Sequence, residues 1–227
     1  MRNIFIWDIH GCYDEFMLLI KKLDIQSDDM VYLVWDLINK WPKSYKVLKF
    51  AYKHQNQYKA ILWNNEVDFL WAIDGENNYY WEFRKLIKKI KKKQKQELIQ
   101  YVRELPAYID TENFLMIHGW LIPEKKLSKH SLAEITNLRN YKWKPWHSYY
   151  SWDKKIIYGH WAVQWLYRTH NTVWLDSGCV YGKQLTAYIL ETDELIQQKA
   201  LKVHNTIWKT KIGKMLYRIK WYLGLIT

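Results

Sequence analysis

Five short polar motifs follow apolar stretches of the sequence, and each contains a residue type that binds divalent metal ions. They are Asp8-Ile-His10, Asp36 after YLVW, Asn64 in WNNE, His118 in MIHGW and His160 in YGHW. Taken alone, an Asp-x-His is more often a turn with a capping carboxylate than a metal site. Five such motifs in a fixed order, each after a strand-like run, predict a metal centre.

The ligand types indicate which metals would bind and what they would do. Carboxylate, imidazole and amide oxygen suit hard or borderline divalent ions rather than a thiolate zinc site. Asp36 has candidate ligands on both sides of it along the chain, so its carboxylate is suited to bridging two ions. Paired metals are the usual device for phosphoryl hydrolysis, because they lower the pKa of a bound water and clamp phosphate oxygens.

The segments between these motifs predict the elements that must position them. Strand-like runs lie at 3–7, 30–35, 59–63, 113–118, 155–159, 172–175 and 184–190, and helix-like segments at 12–23, 42–54, 65–73, 79–104 and 131–139. This order indicates an α/β or mixed sheet with helices packed on it, in a single domain. Ligands of such sheets bind at the C-terminal ends of the strands, where all five motifs lie.

Charge and cysteine content narrow the class of protein. The formal net charge of +12 is compatible with an anionic ligand, although a lysine-rich solvated surface is the more common explanation. The basic run at 85–96 has apolar residues on one helical face, which favours an exposed helix over a specific nucleic-acid site. Two cysteines build no disulfide framework, and the sequence has neither a signal peptide nor an apolar stretch long enough to span a membrane. We therefore expect a cytoplasmic protein.

The C-terminal segment differs from the rest of the chain. Residues 206–227 place apolar side chains on one helical stripe and lysines largely elsewhere. This pattern predicts either a helix that docks on the domain or a basic amphipathic helix that lies on anionic lipid. The domain itself is expected to cover 1–205, and the sequence does not predict its oligomeric state.

The ordered motifs resemble those of a known family. The series DIHGCYDE, DLINK, NNE, HGWLIP, YGHWA and LDSGC is similar to that of the calcineurin-like metallophosphoesterases over roughly 1–205. Within them it is most similar to symmetrical dinucleoside tetraphosphatases and small bacterial phosphoprotein phosphatases. GHWA at 159–162 and LDSGCVYG at 175–182 favour the tetraphosphatases. The fold implied by the resemblance is a β-sandwich flanked by helices.

The resemblance also implies roles for individual residues. Asp8 and His10 would hold a first ion, Asp36 would bridge, and the second ion would be held by Asn64, His118 and His160. The expected pair is Mn²⁺, with Fe²⁺, Zn²⁺ or Co²⁺ as alternatives. Lys40 stands where the family usually has an arginine on the phosphate, so it keeps the charge but loses the bidentate fork.

Asn65 departs from the family pattern. A histidine, thought to be the general acid, usually stands there, and asparagine cannot donate a proton at neutral pH. This loss harms hydrolysis of a phosphoanhydride less, since a nucleoside diphosphate leaves readily as an anion. We therefore expect symmetrical cleavage of diadenosine tetraphosphate to ADP, with a Ser/Thr phosphoprotein phosphatase and a catalytically degenerate binding module as alternatives. The candidate residues for an adenine pocket are aromatic, although buried packing is the more common role for such residues: Tyr141, Trp146, Tyr149 and Tyr150.

Tryptophan is in excess and glycine is scarce. The chain has 15 Trp and 8 Gly, where average usage would give about 16 Gly. Tryptophan stands at family glycine positions, where glycine supplies room and unusual backbone torsions: Trp7, Trp35, Trp41, Trp63 and Trp120, with Trp143, Trp152, Trp165 and Trp174 assigned to the same set. We hypothesise that UGA codons for glycine were read as tryptophan. Reversion of all nine positions would give 17 Gly and 6 Trp.

Overall fold

The strands form two sheets of five. The computed structural model describes residues 1–7, 9–34, 37–38, 43–75, 80–93, 95–119, 121–122, 125–137, 149–150, 153–159, 167–175 and 177–204. Its strands are β1 (Asn3–Ile6), β2 (Met30–Leu33), β3 (Tyr58–Ala60), β4 (Tyr108–Asp110), β5 (Phe114–Ile117), β6 (Lys155–Tyr158), β7 (Tyr167–Arg168), β8 (Thr172–Trp174), β9 (Gln184–Ile189) and β10 (Glu194–Lys199). Sheet A has the order β10-β9-β1-β2-β3, and sheet B has the order β4-β5-β6-β8-β7.

Each sheet contains three parallel strands and two further strands that pair antiparallel, on one side in sheet A and at both edges in sheet B. In sheet A, β1, β2 and β3 are parallel, while β9 pairs antiparallel with both β1 and β10. In sheet B, β5, β6 and β8 are parallel, with antiparallel β4 and β7 at the edges. The central strands are short, continuous apolar runs, as expected where both faces of a sheet are covered. Their C-terminal ends therefore share one edge within each sheet.

The helices cover the sheets on their outer sides. They are α1 (Tyr13–Leu23), α2 (Ser44–Lys53), α3 (Asn64–Asp74), α4 (Tyr80–Lys92), α5 (Glu97–Arg103) and α6 (Leu132–Asn137). In α1 the buried residues Phe16, Leu19 and Leu23 recur at helical spacing and form one apolar face. The helix ends at Asp24, whose left-handed backbone (φ 44°) closes it.

Among the described residues, three apolar clusters form the core. The cluster between the sheets includes Phe5, Tyr32 and Tyr188 from sheet A and Phe114 and Ile157 from sheet B. A larger cluster lies between sheet A and helices α1 to α5, and a smaller one lies between sheet B and α6. The two sheets thus pack face to face with helices outside them. This arrangement confirms the predicted mixed α/β sandwich.

Most predicted elements are present, with two differences. All seven predicted strands form, but β4, β7 and β10 were not predicted. The single helix predicted over 79–104 is wrong, since α4 ends at Lys92 and α5 begins at Glu97. The boundary at residue 205 and the C-terminal helix stay predictions, because residues 205–227 lie outside the described part. No helix in the described ranges is long and apolar enough to cross a membrane.

Three tryptophans of the glycine-position set are described, and all three are buried. Trp7 and Trp63 lie in the cluster between the sheets, and Trp174 lies in the cluster against α6. None of the described residues accepts a hydrogen bond from Trp7 Nε1, although a buried indole N–H usually finds an acceptor. The other six members lie outside the described residues.

The torsional part of our expectation is wrong at these positions. The described non-glycine residues with positive φ are His10, Asp24 and Asp193, while Trp63 is extended at φ −130°. After β1 the chain turns instead at His10 and Gly11. Lack of space is therefore the remaining physical reason for glycine at Trp7 and Trp63.

Candidate metal centre

The first motif lies in a tight connection between β1 and α1. His10 has a left-handed backbone (φ 39°) and is followed by Gly11 at φ 70°. Histidine is among the non-glycine residues that tolerate this region better than most. The turn is closed by the Cys12 backbone N–H, which donates to Ile9 O at 2.6 Å. This turn fixes half-buried His10 at the C-terminal end of β1.

The third and fourth motifs meet across the two sheets. Asn64 is the first residue of α3, which follows β3, and His118 directly follows β5. The rings of Trp63 and His118 have centroids 3.7 Å apart at an interplanar angle of 63°. The start of α3 in sheet A and the end of β5 in sheet B are therefore neighbours. His118 itself is fully buried.

Hydrogen bonds connect the segments that flank the other motifs. Val34 N–H donates to Ile6 O at 3.0 Å, which ties the end of β2 to the end of β1. Gly159 N–H donates to His118 O at 3.1 Å, which ties the end of β6 to the end of β5. All the strand ends that precede the five motifs are thus linked to a neighbour at this edge.

Glu66 is a residue of this region that our sequence analysis did not single out. Its carboxylate is fully buried, and its Oε1 accepts a hydrogen bond from Ile38 N–H at 3.0 Å. A Glu in the first turn of a helix usually bonds back to the start of its own helix. Here it instead holds the segment that follows Asp36 in the chain. The pattern NNE gives no signal that distinguishes these two uses.

Burial governs the electrostatics around Glu66. Burial, and to a smaller extent the nearby Glu66 carboxylate, raises the pKa of the Tyr101 hydroxyl well above its ordinary value. A separate ion pair lies nearer the first motif. Lys43 pairs with Asp14 in the first turn of α1 and lowers the pKa of the Asp14 carboxyl. This ion pair ties the segment after Lys40 to the helix that follows His10.

The structure describes part of the predicted residue set. His10, Asn64 and His118 lie at the strand ends described above, and Asn65 is half-buried in the first turn of α3. The remaining predicted residues lie outside the described part: Asp8, Asp36, Lys40 and His160. The three described candidates offer two imidazoles and an amide, and these nitrogen and oxygen donors fit a hard or borderline divalent ion.

The aromatic residues proposed for an adenine pocket are only half described. Tyr149 is 38% exposed, whereas Tyr150 packs against the cluster of sheet B and donates from its hydroxyl to Lys154 O at 3.2 Å. Tyr150 therefore has the packing role that we considered as the alternative. Tyr141 and Trp146 lie outside the described residues.

The chain matches one family model and a set of named proteins. The calcineurin-like phosphoesterase model matches residues 1–198. The symmetrical bis(5'-nucleosyl)-tetraphosphatase of Neisseria meningitidis is 25% identical over 267 residues, covering 88% of this chain and 96% of that protein. The asymmetrical bis(5'-nucleosyl)-tetraphosphatase of Oceanobacillus iheyensis is 27% identical over 231 residues, covering 86% of this chain and 91% of that protein.

A solved structure has the same fold. A crystal structure assigned provisionally to a diadenosine tetraphosphatase superposes with a TM-score of 0.73 at 23% identity. The superposition covers 88% of this chain and 94% of that one. Because the identity is low, this likeness concerns the fold.

Proposed function

This chain belongs to the calcineurin-like phosphoesterase family, and from that premise we propose that it hydrolyses diadenosine tetraphosphate symmetrically to two molecules of ADP. The family and the named relatives identify it as a hydrolase of phosphoesters or phosphoanhydrides. Calcineurin-like phosphoesterases use a dinuclear centre of divalent metal ions. The choice of substrate, the ligand assignments and Mn²⁺ as the metal belong to our proposal.

The closeness of the start of α3 to the end of β5, seen in the contact between Trp63 and His118, is the observation that best supports the ligand set. Asn64 begins α3 and His118 directly follows β5, so one candidate ligand comes from each side of this contact. We assign Asp8 and His10 to the first ion, Asp36 to the bridge, and the remaining three to the second ion: Asn64, His118 and His160. Such ions supply an activated water and neutralise phosphate charge.

The residues around this centre have separate tasks in the proposal. Lys40 would contact the phosphate as a single charge, and Glu66 would hold the loop of Asp36 through Ile38 N–H. Water adds to the phosphorus as the bridging P–O bond breaks, and ADP leaves with the bond electrons as an anion. Since that anion is stable without a proton, Asn65 in place of an acid is compatible with this reaction.

The products of the reaction test the proposal directly. The full chain, supplied with Mn²⁺ and diadenosine tetraphosphate, should release ADP alone. Release of ATP and AMP in equal amounts would instead show asymmetrical cleavage, the activity for which the Oceanobacillus relative is named. Faster hydrolysis of phosphoserine peptides would favour a phosphoprotein phosphatase. No turnover of either substrate at any Mn²⁺ concentration would favour a binding module.

A pair of histidine variants tests the site. His118→Ala should reduce turnover by about 10³-fold and reduce bound Mn²⁺, because loss of a ligand removes several kcal/mol of transition-state stabilisation. His170→Ala is the matched control, since His170 is exposed and precedes β8, at the opposite end of sheet B. If the two variants lose activity equally, the assignment of His118 is wrong.

A further inference from the structure

A second group of metal-binding side chains lies on the helix side of sheet A. One ligand atom each from Cys12, Glu15 and His204 lies within 4.8 Å of the other two. Cys12 and Glu15 are buried to 1% exposure, and the His204 side chain is 8% exposed. We propose that these three residues form a zinc site that fastens the segment after β10 to the start of α1.

The first two ligands are placed by the beginning of α1. Cys12 is the residue immediately before the helix, and Glu15 lies in its first turn. Their spacing of three residues puts both side chains on one face of the turn. Because the turn at His10 and Gly11 fixes the start of the helix, both ligands are held in place before any ion arrives.

The third ligand is placed by contacts of the segment 200–204. Ala200 N–H donates to Lys183 O at 2.7 Å, and His204 N–H donates to Val180 O at 3.0 Å. The segment also packs closely on Gly182, where a side-chain Cβ would lie only 2.5 Å from Val203 Cγ2. His204 is therefore held on a rigid backbone rather than on a free tail.

Glu15 already joins the two parts of the site. Its Oε1 accepts hydrogen bonds from His204 Nε2 at 2.8 Å and from Leu201 N–H at 3.1 Å. A metal ligand held in this way by a backbone donor keeps its orientation, as supporting hydrogen bonds do in established metal sites. An ion would replace the proton between the carboxylate and the imidazole.

The donor set indicates which ion fits. Thiolate, imidazole and carboxylate together are typical of zinc, with bond lengths of about 2.3 Å to sulfur and about 2.1 Å to nitrogen or oxygen. Tetrahedral binding would therefore separate the ligand atoms by about 3.3–3.6 Å. The observed spread, within 4.8 Å, needs only small side-chain rotations to reach this geometry. Water would take the fourth position.

Sulfur ligation distinguishes this site from the proposed catalytic centre, whose ligands include no cysteine. Co²⁺ added to the Mn²⁺-loaded full chain should produce a thiolate-to-cobalt charge-transfer absorption that saturates at one equivalent. Zn²⁺ should then displace Co²⁺ and abolish the absorption. The readout does not depend on turnover, so it stands whether or not the chain cleaves diadenosine tetraphosphate.

Three variants decide between a zinc site and a hydrogen-bonded contact. Cys12→Ser and His204→Gln should each lose the absorption and the tightly bound zinc, whereas Cys179→Ser, which removes the other buried cysteine, should keep both. His204→Gln decides the matter if Cys12→Ser fails to fold. The proposal is overturned if the parent chain shows no absorption, if His204→Gln retains it, or if Cys179→Ser loses it.

Discussion

The two ends of the strands in sheet A use buried carboxylates differently. At the N-terminal end, Asp29 accepts hydrogen bonds from Arg2 N–H at 2.8 Å, from Arg2 Nε at 3.0 Å and from Gln26 N–H at 2.9 Å. The Arg2 guanidinium lowers the pKa of Asp29 to about 2. At the C-terminal end, fully buried Glu66 accepts from Ile38 N–H, close to the contact of Trp63 with His118.

This difference indicates that Asp29 has a structural role at the N-terminal end, whereas Glu66 belongs to the candidate functional site at the C-terminal end. The Asp29 carboxylate forms an ion pair with Arg2 at the same end of the sheet. Its charge therefore stabilises the fold without any ligand. Around Glu66 the polar groups come from several elements and include the imidazole and amide of the candidate centre. Polar side chains that come together from separate elements in this way are a feature of binding sites. Changes at the two ends should therefore affect different measurements.

The largest expected effect concerns the tryptophans, of which the described Trp7 and Trp63 follow β1 and β3 at the C-terminal end of sheet A. A chain with glycine at Trp7, Trp35, Trp41, Trp63 and Trp120 should be soluble and stimulated by Mn²⁺, whereas the chain with tryptophan should be poorly folded or inactive. The Trp63 ring lies 3.7 Å from that of His118, closer than the roughly 4.5–7 Å usual for aromatic pairs. Activity assays of both chains check this.

Exposed Trp71 provides the control for that comparison, since it lies in α3 outside the glycine-position set. Trp71→Ala should leave turnover unchanged. Equal activity of the glycine and tryptophan chains would refute the coding hypothesis, and so would UGG codons at the five positions in the gene.

The next effect concerns the missing acid at the C-terminal end. Asn65→His, in the glycine-restored chain, should accelerate hydrolysis of phosphoserine by up to about 10²–10⁴-fold, because an alkoxide leaving group needs a proton. Hydrolysis of diadenosine tetraphosphate should gain little, since ADP leaves as a stable anion. Turnover numbers on both substrates measure this difference.

Lys40→Arg is the matched control for this selectivity. It should improve both substrates similarly, because a bidentate guanidinium acts on the transferred phosphate that they share. If Asn65→His accelerates hydrolysis of both substrates by the same factor, Asn65 does not stand in the place of a general acid.

A smaller loss is expected from Glu66, which supports the candidate centre without being one of its ligands. Glu66→Gln keeps an acceptor for Ile38 N–H but removes the buried charge, and should lower turnover or Mn²⁺ affinity by about 10–100-fold. Activity measured across a range of Mn²⁺ concentrations checks this. Glu104→Gln, at an exposed position after α5, should change neither quantity; equal losses in the two variants would count against a supporting role.

The smallest effect concerns stability at the N-terminal end. Asp29→Asn should reduce the free energy of unfolding by about 2 kcal/mol at neutral pH, since the Asp29 pKa is lowered from 3.8 to about 2. A lowered pKa stabilises the fold above the unfolded value. This contribution should therefore fade as the pH drops from about 4 to about 2. Denaturant unfolding of both chains across this pH range measures it.

Asp28→Asn is the neighbouring control. Asp28 pairs with the N-terminal ammonium at 2.8 Å, but both groups are largely exposed, so its replacement should change stability little. A difference between Asp29→Asn and the parent chain that stays constant down to pH 2 would contradict the linkage argument. Turnover per folded molecule should be unchanged in both variants.

The elements that could be predicted from the sequence are those whose buried residues form a regular apolar pattern. The runs IFI, FLMI and IIY are continuous and apolar, so β1, β5 and β6 are recognisable without any tertiary information. By contrast, β10 has the sequence ELIQQK and a single buried residue, Gln198. Strand β10 forms because it pairs with the free edge of β9. The local sequence of β10 does not indicate that this edge is available.

The same dependence on tertiary packing explains why the sequence analysis predicted one helix over 79–104 and did not single out Glu66. Between Ile90 and Leu98 no apolar residue interrupts the lysines and glutamines, so nothing anchors a continuous helix to the core there. The contact of Glu66 with Ile38 joins residues 28 positions apart. The candidate ligand types can be named from the sequence, whereas the contacts between the segments that carry them depend on how the strands pack.

The position of β1 has a consequence for how the chain is made. Strand β1 is the middle strand of sheet A, and it pairs with β2 on one side and with β9 on the other, where Ile4 faces Ile189. During translation β9 follows β1 by on the order of 10 seconds. Until then one edge of a strand with the apolar run IFI stays open to other chains, so a nascent chain that stalls before residue 184 should aggregate or recruit chaperones.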